Sequence, residues 1–381
     1  MAKYKLGDIC EIVSGSTPKT GVDEYWDGDI KWITPAELND DTYIITDSVR
    51  KITELAVKKT GLSPFPEGTV ILSSRAPIGK VAIAGCEMYC NQGFKNLICS
   101  DKINNRYLYW FLKGNTKYLN SIGRGATFKE ISKSIVSEIE INVPDLNEQA
   151  VAVANLEKIS KIIALRRQEL SALDELIKAR FVEMFGDVQH EEKYKGIQLR
   201  ELCTTMSGGT PSTKFPEYYK GDIPWISTVS LGPNHIDGTT AKGFITQEAI
   251  DNSATKLIPA GNILFGTRVG VGKSSLNDVD ICTNQDIVAI IGIDEKRFNR
   301  LFIKHVLDAY QPYYDSIKKG ATILGITGDD LKDTLIPNAP IEVQMEFEAF
   351  VEQVDKSKVA VKNALDHTKL LFDSLMQQYF G

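Results

Sequence analysis

The chain has 381 residues, more than a typical single domain, and this length predicts two domains or one large domain with insertions. Its composition, 43% hydrophobic and 25% charged, supports a buried core and excludes a disordered or fibrous chain. The net charge of −6 argues mildly against a nucleic-acid-binding protein, because phosphate contacts require Lys and Arg.

Targeting signals and stabilising cross-links are not expected from this sequence. The segment 1–13 carries charged residues such as Lys3 and Asp8, so it lacks the apolar region of a signal peptide. The longest apolar run, Ile287 to Ile293, is too short to cross a bilayer. The 6 Cys form no Cys-x-x-Cys pair and the 4 His are scattered, which predicts a cytoplasmic protein with neither a disulfide framework nor a metal site.

The sequence contains two copies of one unit. Residues 14–18 and 207–211 match as Ser-Gly-x-Thr-Pro, and residues 24–33 and 217–226 share Glu-Tyr-x-x-Gly-Asp-Ile-x-Trp-Ile, both at an offset of 193. The same offset relates the Arg-x-x-x-Gly-Lys segments and the Asn-Gln pairs. Later matches come at an offset of 195: Gly125-Ala-Thr127 with Gly320-Ala-Thr322, Gln149 with Gln344, and Phe185-Gly186 with Phe380-Gly381. A tandem duplication therefore covers nearly the whole chain.

Each copy begins with predicted strands and ends in a predicted long helix. Short β-branched runs between Gly, Pro and Asp predict strands at 69–72, 80–84 and 286–291, and a short helix is predicted at 106–112. The segments 147–185 and 342–380 contain neither Pro nor Gly and are rich in helix formers. Each predicts a helix of about 40 residues, on the order of 60 Å long.

Both long helices carry apolar residues at heptad spacing. Such a stripe requires a partner helix, and the chain supplies two stripes, so we expect them to pack on each other. The alternative is that each helix covers only its own domain. If like surfaces pair, the helices run antiparallel and the two copies form a pseudo-two-fold dumbbell. The residues predicted to pack are Leu156, Ile159, Ile163, Leu170, Leu173, Ile177, Val354, Val361, Leu365, Phe372 and Leu375.

No catalytic motif is shared by the two copies. The segment 266–274 resembles a phosphate-binding loop, but Thr267 stands where the first Gly belongs and the other copy has Val81 after its Gly-Lys. The chain has no Pro-Pro dipeptide, which excludes the motif of amino-group methyltransferases. Asp187 with Glu191-x-Lys193 resembles a nuclease motif only faintly and lies in a charged linker outside the repeat. These observations predict a protein without catalytic activity.

The polar residues shared by the copies are of the kinds that contact phosphates and base edges. Turn geometry explains the Gly-Thr-Pro and Gly-Lys residues equally well. Trp32 and Trp225 lie within apolar runs and are predicted to be core residues rather than base-stacking platforms. The candidate DNA-binding residues are Thr17, Lys19, Arg75, Lys80, Asn91, Gln92, Arg124, Thr213, Lys214, Arg268, Lys273, Asn284, Gln285 and Lys319.

The duplicated series of motifs resembles the specificity (S) subunit of Type I restriction-modification systems. The series is Gly-x-Thr-Pro, Glu-Tyr-x-x-Gly-Asp-Ile-x-Trp-Ile, Ser-Ser-Arg-Ala-Pro-Ile-Gly-Lys and its counterpart, Asn-Gln, Gly-Ala-Thr and a long helix, and it extends from end to end of the chain. The resemblance implies an α+β fold, in which a β-rich α/β target-recognition domain followed by a long helix occurs twice and the helices form an antiparallel coiled coil. The expected boundaries are 1–145 for the first recognition domain, 146–186 for the central helix, 187–340 for the second domain with a linker at 187–193, and 341–381 for the C-terminal helix.

The resemblance also implies a function and partners. Each domain would read one half of a split, asymmetric site in double-stranded DNA, and the helices would space the halves. Two modification (M) subunits, which bind S-adenosylmethionine and methylate adenine N6, would dock on the helices, and restriction (R) subunits would join them. The chain itself would bind no cofactor and would not be catalytic. The alternative is a two-headed protein-interaction scaffold, which is distinguished by whether the shared cations converge on one concave face.

The two copies match poorly at 40–51 and 233–242, and we expect these loops to carry much of the sequence discrimination. Exchanging 233–242 for a loop from another specificity subunit should therefore change the methylated sequence in one half-site, as measured by methylation-sensitive sequencing. An unchanged methylated sequence would contradict this hypothesis.

Overall fold

The computed structural model describes residues 2–39, 41–75, 77–125, 129–190, 193–320 and 323–381. The chain divides into two compact units. The first unit comprises Met1–Gln168 together with Lys362–Gly381, and the second comprises Glu169–Val361. Each unit therefore combines a head of sheets and short helices with parts of both long helices.

The first unit contains a five-stranded sheet in the order β2-β9-β6-β7-β4, a three-stranded sheet in the order β5-β3-β8, and the antiparallel pair β1-β10. Most neighbours are antiparallel, but β4 runs parallel to β7 and β3 runs parallel to β8. The strands are β1 Ala2–Lys5, β2 Cys10–Ser14, β3 Trp26–Ile33, β4 Ile44–Ile45, β5 Arg50–Ile52, β6 Val70–Ser73, β7 Val81–Ala84, β8 Tyr89–Cys90, β9 Phe94–Cys99 and β10 Glu140–Val143.

The second unit repeats this arrangement strand for strand, with one further short strand, β16. Its five-stranded sheet has the order β12-β20-β17-β18-β14, its second sheet has the order β15-β13-β19-β16, and β11 pairs with β21. The strands are β11 Gly196–Gln198, β12 Thr204–Ser207, β13 Ile223–Ile226, β14 His235–Ile236, β15 Gly243–Ile245, β16 Leu257–Ile258, β17 Ile263–Gly266, β18 Ser274–Asn277, β19 Ile281–Thr283, β20 Ile287–Ile291 and β21 Leu335–Pro337. The predicted duplication and α+β class are confirmed.

The helices are α1 Leu6–Ile9, α2 Glu54–Thr60, α3 Asn105–Gly114, α4 Thr116–Ile122, α5 Lys133–Ser137, α6 Leu146–Phe185, α7 Gln247–Asp251, α8 Arg300–Ala309, α9 Gln311–Ile317, α10 Gly328–Lys332 and α11 Ile341–Phe380. Five of the helices also recur: α2 to α6 of the first copy correspond to α7 to α11 of the second, and the counterpart of α1 is a 3-10 turn at Leu199–Glu201. In the ranges that the structure describes, none of these helices is both long enough and apolar enough to span a membrane.

Local sequence explains where the first long helix begins and ends. The Asp145 carboxylate accepts a hydrogen bond from the Glu148 amide at 2.9 Å, which caps the first turn of α6. At the other end, Gly186 adopts a positive φ of 79° and its amide bonds to the Val182 carbonyl at 2.8 Å. A residue with a Cβ would be strained in that left-handed conformation, so the glycine terminates the helix.

The two long helices run antiparallel within each unit. In the second unit, Asp174 of α6 pairs with Lys358 of α11 at 2.7 Å, and Arg180 pairs with Glu346 at 2.7 Å. The residue number falls along one helix as it rises along the other, which defines the antiparallel direction. In the first unit the Asn155 amide donates to the Tyr379 hydroxyl at 2.9 Å. The predicted antiparallel pairing of α6 and α11 is thus present. All the residues predicted to pack are buried or half-buried, although Phe372 contacts Trp110 of the first head, and their packing against the other long helix stays a prediction.

Each head completes its core with a helix segment from the opposite half of the sequence. In the first unit, Phe372 of α11 packs against Trp110 of α3 with ring centroids 5.6 Å apart, and Phe380 packs against Tyr107 at 4.9 Å. In the second unit, Phe185 of α6 lies 4.5 Å from Phe302 of α8. Apolar burial is the main favourable contribution to folding, so these aromatic contacts hold α11 against the first head and α6 against the second.

A buried glutamine joins each head to the start of its long helix. Gln149 is 0% exposed, and its amide nitrogen donates to the carbonyls of Lys102 at 3.1 Å and Pro144 at 2.9 Å. Its amide oxygen accepts from the backbone of Asn104 at 2.7 Å. Gln344 makes the equivalent three bonds in the second unit, at 3.1, 2.7 and 2.8 Å. This role explains why the glutamine recurs in both copies.

We expect Gln149→Leu to lower the free energy of unfolding by about 2–3 kcal/mol, because it leaves one backbone donor and two backbone acceptors without partners. Urea denaturation of the full chain measures this change. The matched control is Gln168→Leu at an exposed position of the same helix, which should change stability by less than about 0.5 kcal/mol. Equal losses of stability in the two variants would show that the buried glutamine does not stabilise the fold.

Candidate nucleic-acid interface

The turn after the first strand of each five-stranded sheet is joined to the shared Asn-Gln turn. In the first unit, Thr17 and Gln92 form a hydrogen bond through their side chains. In the second unit, Thr210 Oγ1 donates to Gln285 Oε1 at 2.5 Å. The repeat therefore preserves a contact between two loops that are 75 residues apart in the chain.

Close approach of these two loops requires glycine at Gly15 and Gly208. A Cβ on Gly15 would lie 2.0 Å from the Asn91 carbonyl oxygen, and one on Gly208 would lie 2.2 Å from the Asn284 carbonyl oxygen. Both distances are far below van der Waals contact. The glycine of the Ser-Gly-x-Thr-Pro motif is thus explained by packing, whereas the Thr and Gln side chains remain at the surface of the joined loops.

The Arg-x-x-x-Gly-Lys segments are the tight connections from β6 to β7 and from β17 to β18. Gly79 and Gly272 have φ values of +94° and +84°, a conformation that favours glycine. The Lys80 ammonium donates to the carbonyls of Pro35 at 3.2 Å and Leu38 at 2.5 Å, so it fastens a neighbouring loop. Its counterpart Lys273 has an exposed side chain. The same motif position therefore has different surroundings in the two units.

In the first unit, Glu130 brings two of the predicted arginines together. Arg75 Nε lies 3.0 Å from a Glu130 carboxylate oxygen, and the backbones of Arg124 and Glu130 exchange hydrogen bonds at 2.9 and 2.8 Å. Lys95, whose side chain is only 7% exposed, lies 3.4 Å from the other carboxylate oxygen. Glu130 thus pairs with the exposed Arg75 and the buried Lys95, and the exposed Arg124 is bonded to its backbone, all at the end of the five-stranded sheet.

The second unit places the equivalent residues around an open depression of about 590 Å³. Arg268, Gln285 and Lys319 line it together, along with residues of the turn before α10. Arg268 lies 3.8 Å from Asp286, a distance that leaves most of the guanidinium available to another anion. The hydroxyl and amide of Thr327 lower the pKa of Asp330, which also lines the depression. The cations and the amide of this surface are suited to phosphate and base-edge contacts, whereas the ionised Asp330 carboxylate can only accept hydrogen bonds and would repel a phosphate.

Several predicted residues are not part of these clusters. Lys19, Thr213 and Lys214 are exposed on the turns that follow β2 and β12. The asparagines are engaged within their own turns: Asn91 Oδ1 accepts from the Gly93 amide at 2.9 Å, and Asn284 Nδ2 donates to Asp286 at 3.0 Å. Their DNA contacts stay predictions.

The structure shows candidate residues that the sequence comparison missed. Lys95 and Glu130 correspond by the repeat to Val288 and Gly325, so a search for shared polar residues could not find them. They form an ion pair, with the lysine buried, in one unit where the other has an aliphatic side chain and a glycine. This is a chemical difference between the two otherwise equivalent sheet ends.

The two tryptophans occupy equivalent structural positions. Trp32 is 2% exposed, and its indole nitrogen donates to the Ser16 carbonyl at 3.0 Å. Trp225 is half-buried and donates to the Gly209 carbonyl at 3.1 Å. Both side chains bond to the Ser-Gly-x-Thr-Pro turn. Trp32 is a core residue as predicted, whereas Trp225 is only half-buried.

The divergent loops pack on the long helices. In the first unit, the Tyr43 hydroxyl bonds to Glu157 of α6. In the second unit, Asn234 bonds to Asp355 of α11 at 2.7 Å and to Lys304 of α8 at 2.8 Å. These contacts give the loops a packing role, and their role in sequence discrimination stays a prediction.

Some predicted features fall on residues outside those that the structure describes. They are Asp40 of the first divergent loop, Ala76, Ala126 and Thr127, Glu191 and Glu192 of the linker, and Ala321 and Thr322. Within the described ranges, no group of three or more His, Cys, Asp or Glu side chains is arranged to hold a metal ion.

The sequence profile of the Type I restriction modification DNA specificity domain matches residues 1–175 and again residues 191–367. The chain belongs to this family. The two matches correspond to the two copies found by comparing the sequence with itself, so the duplication is a duplication of the specificity domain.

Similar proteins are specificity subunits of Type I restriction enzymes. The chain is 29% identical to the Type I restriction enzyme MjaIX specificity subunit of Methanocaldococcus jannaschii, over 98% of this chain and 90% of that protein. It is 27% identical to the EcoR124I/EcoR124II specificity subunit of Escherichia coli, over 59% of this chain and 57% of that one.

Solved structures of the type I system share the fold. A chain from a study of complex assembly and conformational transition of the type I R-M system matches with a TM-score of 0.65 and 18% identity, over 99% of this chain and 97% of that one. The S subunit from M. genitalium matches with a TM-score of 0.57 and 14% identity, over 100% and 96% of the two chains.

We expect Arg268→Ala to weaken binding to all DNA sequences and to reduce the slope of log affinity against log salt concentration by about 0.9 for each phosphate that the arginine neutralises. Fluorescence anisotropy at several salt concentrations measures the slope. The control is Arg200→Ala, which removes an exposed arginine that pairs with Asp333 outside the depression. A changed methylated sequence with an unchanged slope would instead make Arg268 a base reader.

Proposed function

We propose that this chain is the DNA-recognition subunit of a Type I restriction-modification complex and that each unit reads one half of a bipartite, asymmetric DNA site. The observation that carries this proposal is the repeated sheet end, where each unit presents a shared arginine, a shared Thr–Gln pair and a second cation, Arg124 or Lys319. Two equivalent surfaces of this kind suit two separate half-sites.

Differences between the two surfaces support an asymmetric target. The first unit has the Lys95–Glu130 ion pair where the second has Val288 and Gly325. Base edges are distinguished by the pattern of hydrogen-bond donors and acceptors that they meet. Glu130, whose side chain is 35% exposed, gives the first surface a carboxylate that the second surface lacks at Gly325, so the two surfaces would select different sequences. The alternative of a protein-interaction scaffold is not favoured, because both copies match the DNA specificity domain of Type I restriction modification.

The long helices offer surfaces for partner proteins. Large apolar side chains remain exposed along both of them, and exposed apolar residues commonly mark protein interfaces. We propose that modification subunits dock on these helices, that restriction subunits join the assembly, and that the helices space the two half-sites. The exposed residues are Leu146, Val151, Leu165, Leu176, Val182, Met345, Val359, Leu370 and Leu371.

This arrangement separates recognition from chemistry. The chain is not an enzyme, because its relatives are specificity subunits. We propose that the modification subunits bind S-adenosylmethionine and methylate adenine N6, and that the complex acts in the cytoplasm. The acidic net charge of −6 fits this division, since modification subunits would supply further phosphate contacts.

Co-expression of the chain with its neighbouring modification subunit should produce N6-methyladenine at one split, asymmetric sequence. Single-molecule sequencing of DNA from a host without other adenine methylation would detect this mark. The double variant Arg75→Ala with Arg268→Ala should reduce the methylated fraction by about tenfold or more, which corresponds to a loss of roughly 1.4 kcal/mol of binding free energy. The control variant Arg200→Ala should leave the methylated fraction unchanged. A complex that assembles but leaves no sequence-specific mark would contradict the proposed function.

A further inference from the structure

The second unit carries an exposed apolar tip, formed by Ile323 and Leu324, at the edge of the depression that is proposed to face DNA. The two side chains are 55% and 57% exposed, although both are large and aliphatic. Ile323 lines the same depression as Arg268, Gln285 and Lys319. Exposed aliphatic residues beside cations and an amide call for an explanation, since the fold itself gains little from them.

The tip is held in place by the fold. The backbones of Lys319 and Gly325 exchange hydrogen bonds at 2.9 and 3.0 Å, which closes the turn that presents both side chains. Gly320 has a φ of +144°, and a Cβ there would lie 2.2 Å from the Ile323 carbonyl oxygen. The turn therefore requires glycine at that position.

The turn is also fixed to the sheet end that bears Arg268. The Ile326 amide donates to the Thr267 carbonyl at 2.8 Å, and Ile326 itself is buried at 7% exposure. A Cβ on Gly325 would lie 3.0 Å from the Arg268 side chain, so the turn and the arginine are in close contact. The apolar tip and the guanidinium are thus presented together by elements that are bonded to each other.

The first copy lacks this pair of aliphatic residues at the equivalent positions. The repeat places Phe128 and Lys129 opposite Ile323 and Leu324, and Glu130 opposite Gly325. The pair of aliphatic residues is therefore specific to the second unit, and the two units are proposed to read different half-sites.

We propose that Ile323 and Leu324 recognise a thymine in the second half-site through its C5-methyl group. The methyl group is the apolar feature that the DNA major groove presents, and aliphatic side chains contact it. Arg268 and Gln285, which line the same depression, are residue types that read guanine and adenine edges in that groove. The inference rests on the proposed function, because it assumes that this depression faces DNA.

The test uses the full chain assembled with its modification subunit and a duplex carrying the methylated target sequence. Deoxyuridine replaces each thymidine of the target in turn, which removes one methyl group and leaves the base-pairing edge unchanged. At one thymine or more, the wild-type complex should lose roughly threefold to fourfold in affinity, the effect expected for one buried methyl group. Ile323→Ala paired with Leu324→Ala should bind both duplexes equally.

Leu335→Ala is the matched control, since it removes a similarly exposed aliphatic side chain from β21, away from the depression. This variant should keep the wild-type preference for thymidine over deoxyuridine. If no thymine position loses its preference in the double variant, the inference is overturned while the proposed function stands. If the wild-type complex shows no preference for its target over unrelated DNA, the proposed function itself fails.

Discussion

Each head depends on a helix segment supplied by the other half of the sequence. The first unit needs Phe372 and Phe380 of α11 against its own α3, and the second needs Phe181 and Phe185 of α6 around Phe302. Each head thus receives a helix segment from the other half of the chain because two helices of equal length pack antiparallel. The end of α11 then lies against the first head, and the end of α6 lies against the second. A cut at the repeat boundary near residue 186 would therefore remove part of both cores. The internal repeat of the sequence is not the same as the unit of folding.

The internal repeat predicted the architecture because the residues that stabilise both heads occur in both copies. The glycines that allow close loop approach, the tryptophans that hold the turn, and the glutamines that bond to the helix starts all recur. The positions of strands such as β6, β7 and β20 and of helix α3 followed from local patterns, with ends that differ by one or two residues. Heptad spacing and the presence of two like stripes were enough to predict an antiparallel helix pair.

The same repeat was a weaker guide to the binding surface, for a physical reason. Structural and binding requirements both preserve polar residues, so recurrence does not separate Lys80, which fastens a loop through two carbonyls, from Arg75, which is exposed. Conversely, Lys95 and Glu130 were overlooked because they differ between the copies. In a protein that reads two different half-sites, the residues that differ between the copies determine the specificity, and a search for shared residues leaves them out. The three-dimensional surroundings of each position supply what the alignment of the copies lacks.

The exchange of helix segments also sets an order of events during synthesis. Residues 169–361 separate the two parts of the first unit. At translation rates of about 5–20 residues per second, roughly 10–40 s pass before the segment carrying Phe372 and Phe380 is made. Until then the apolar faces of Tyr107 and Trp110 lack their final partners on the nascent chain. The head that is synthesised first is thus the one whose core is completed last, and its exposure to chaperones and to premature association is set by the length of the second head.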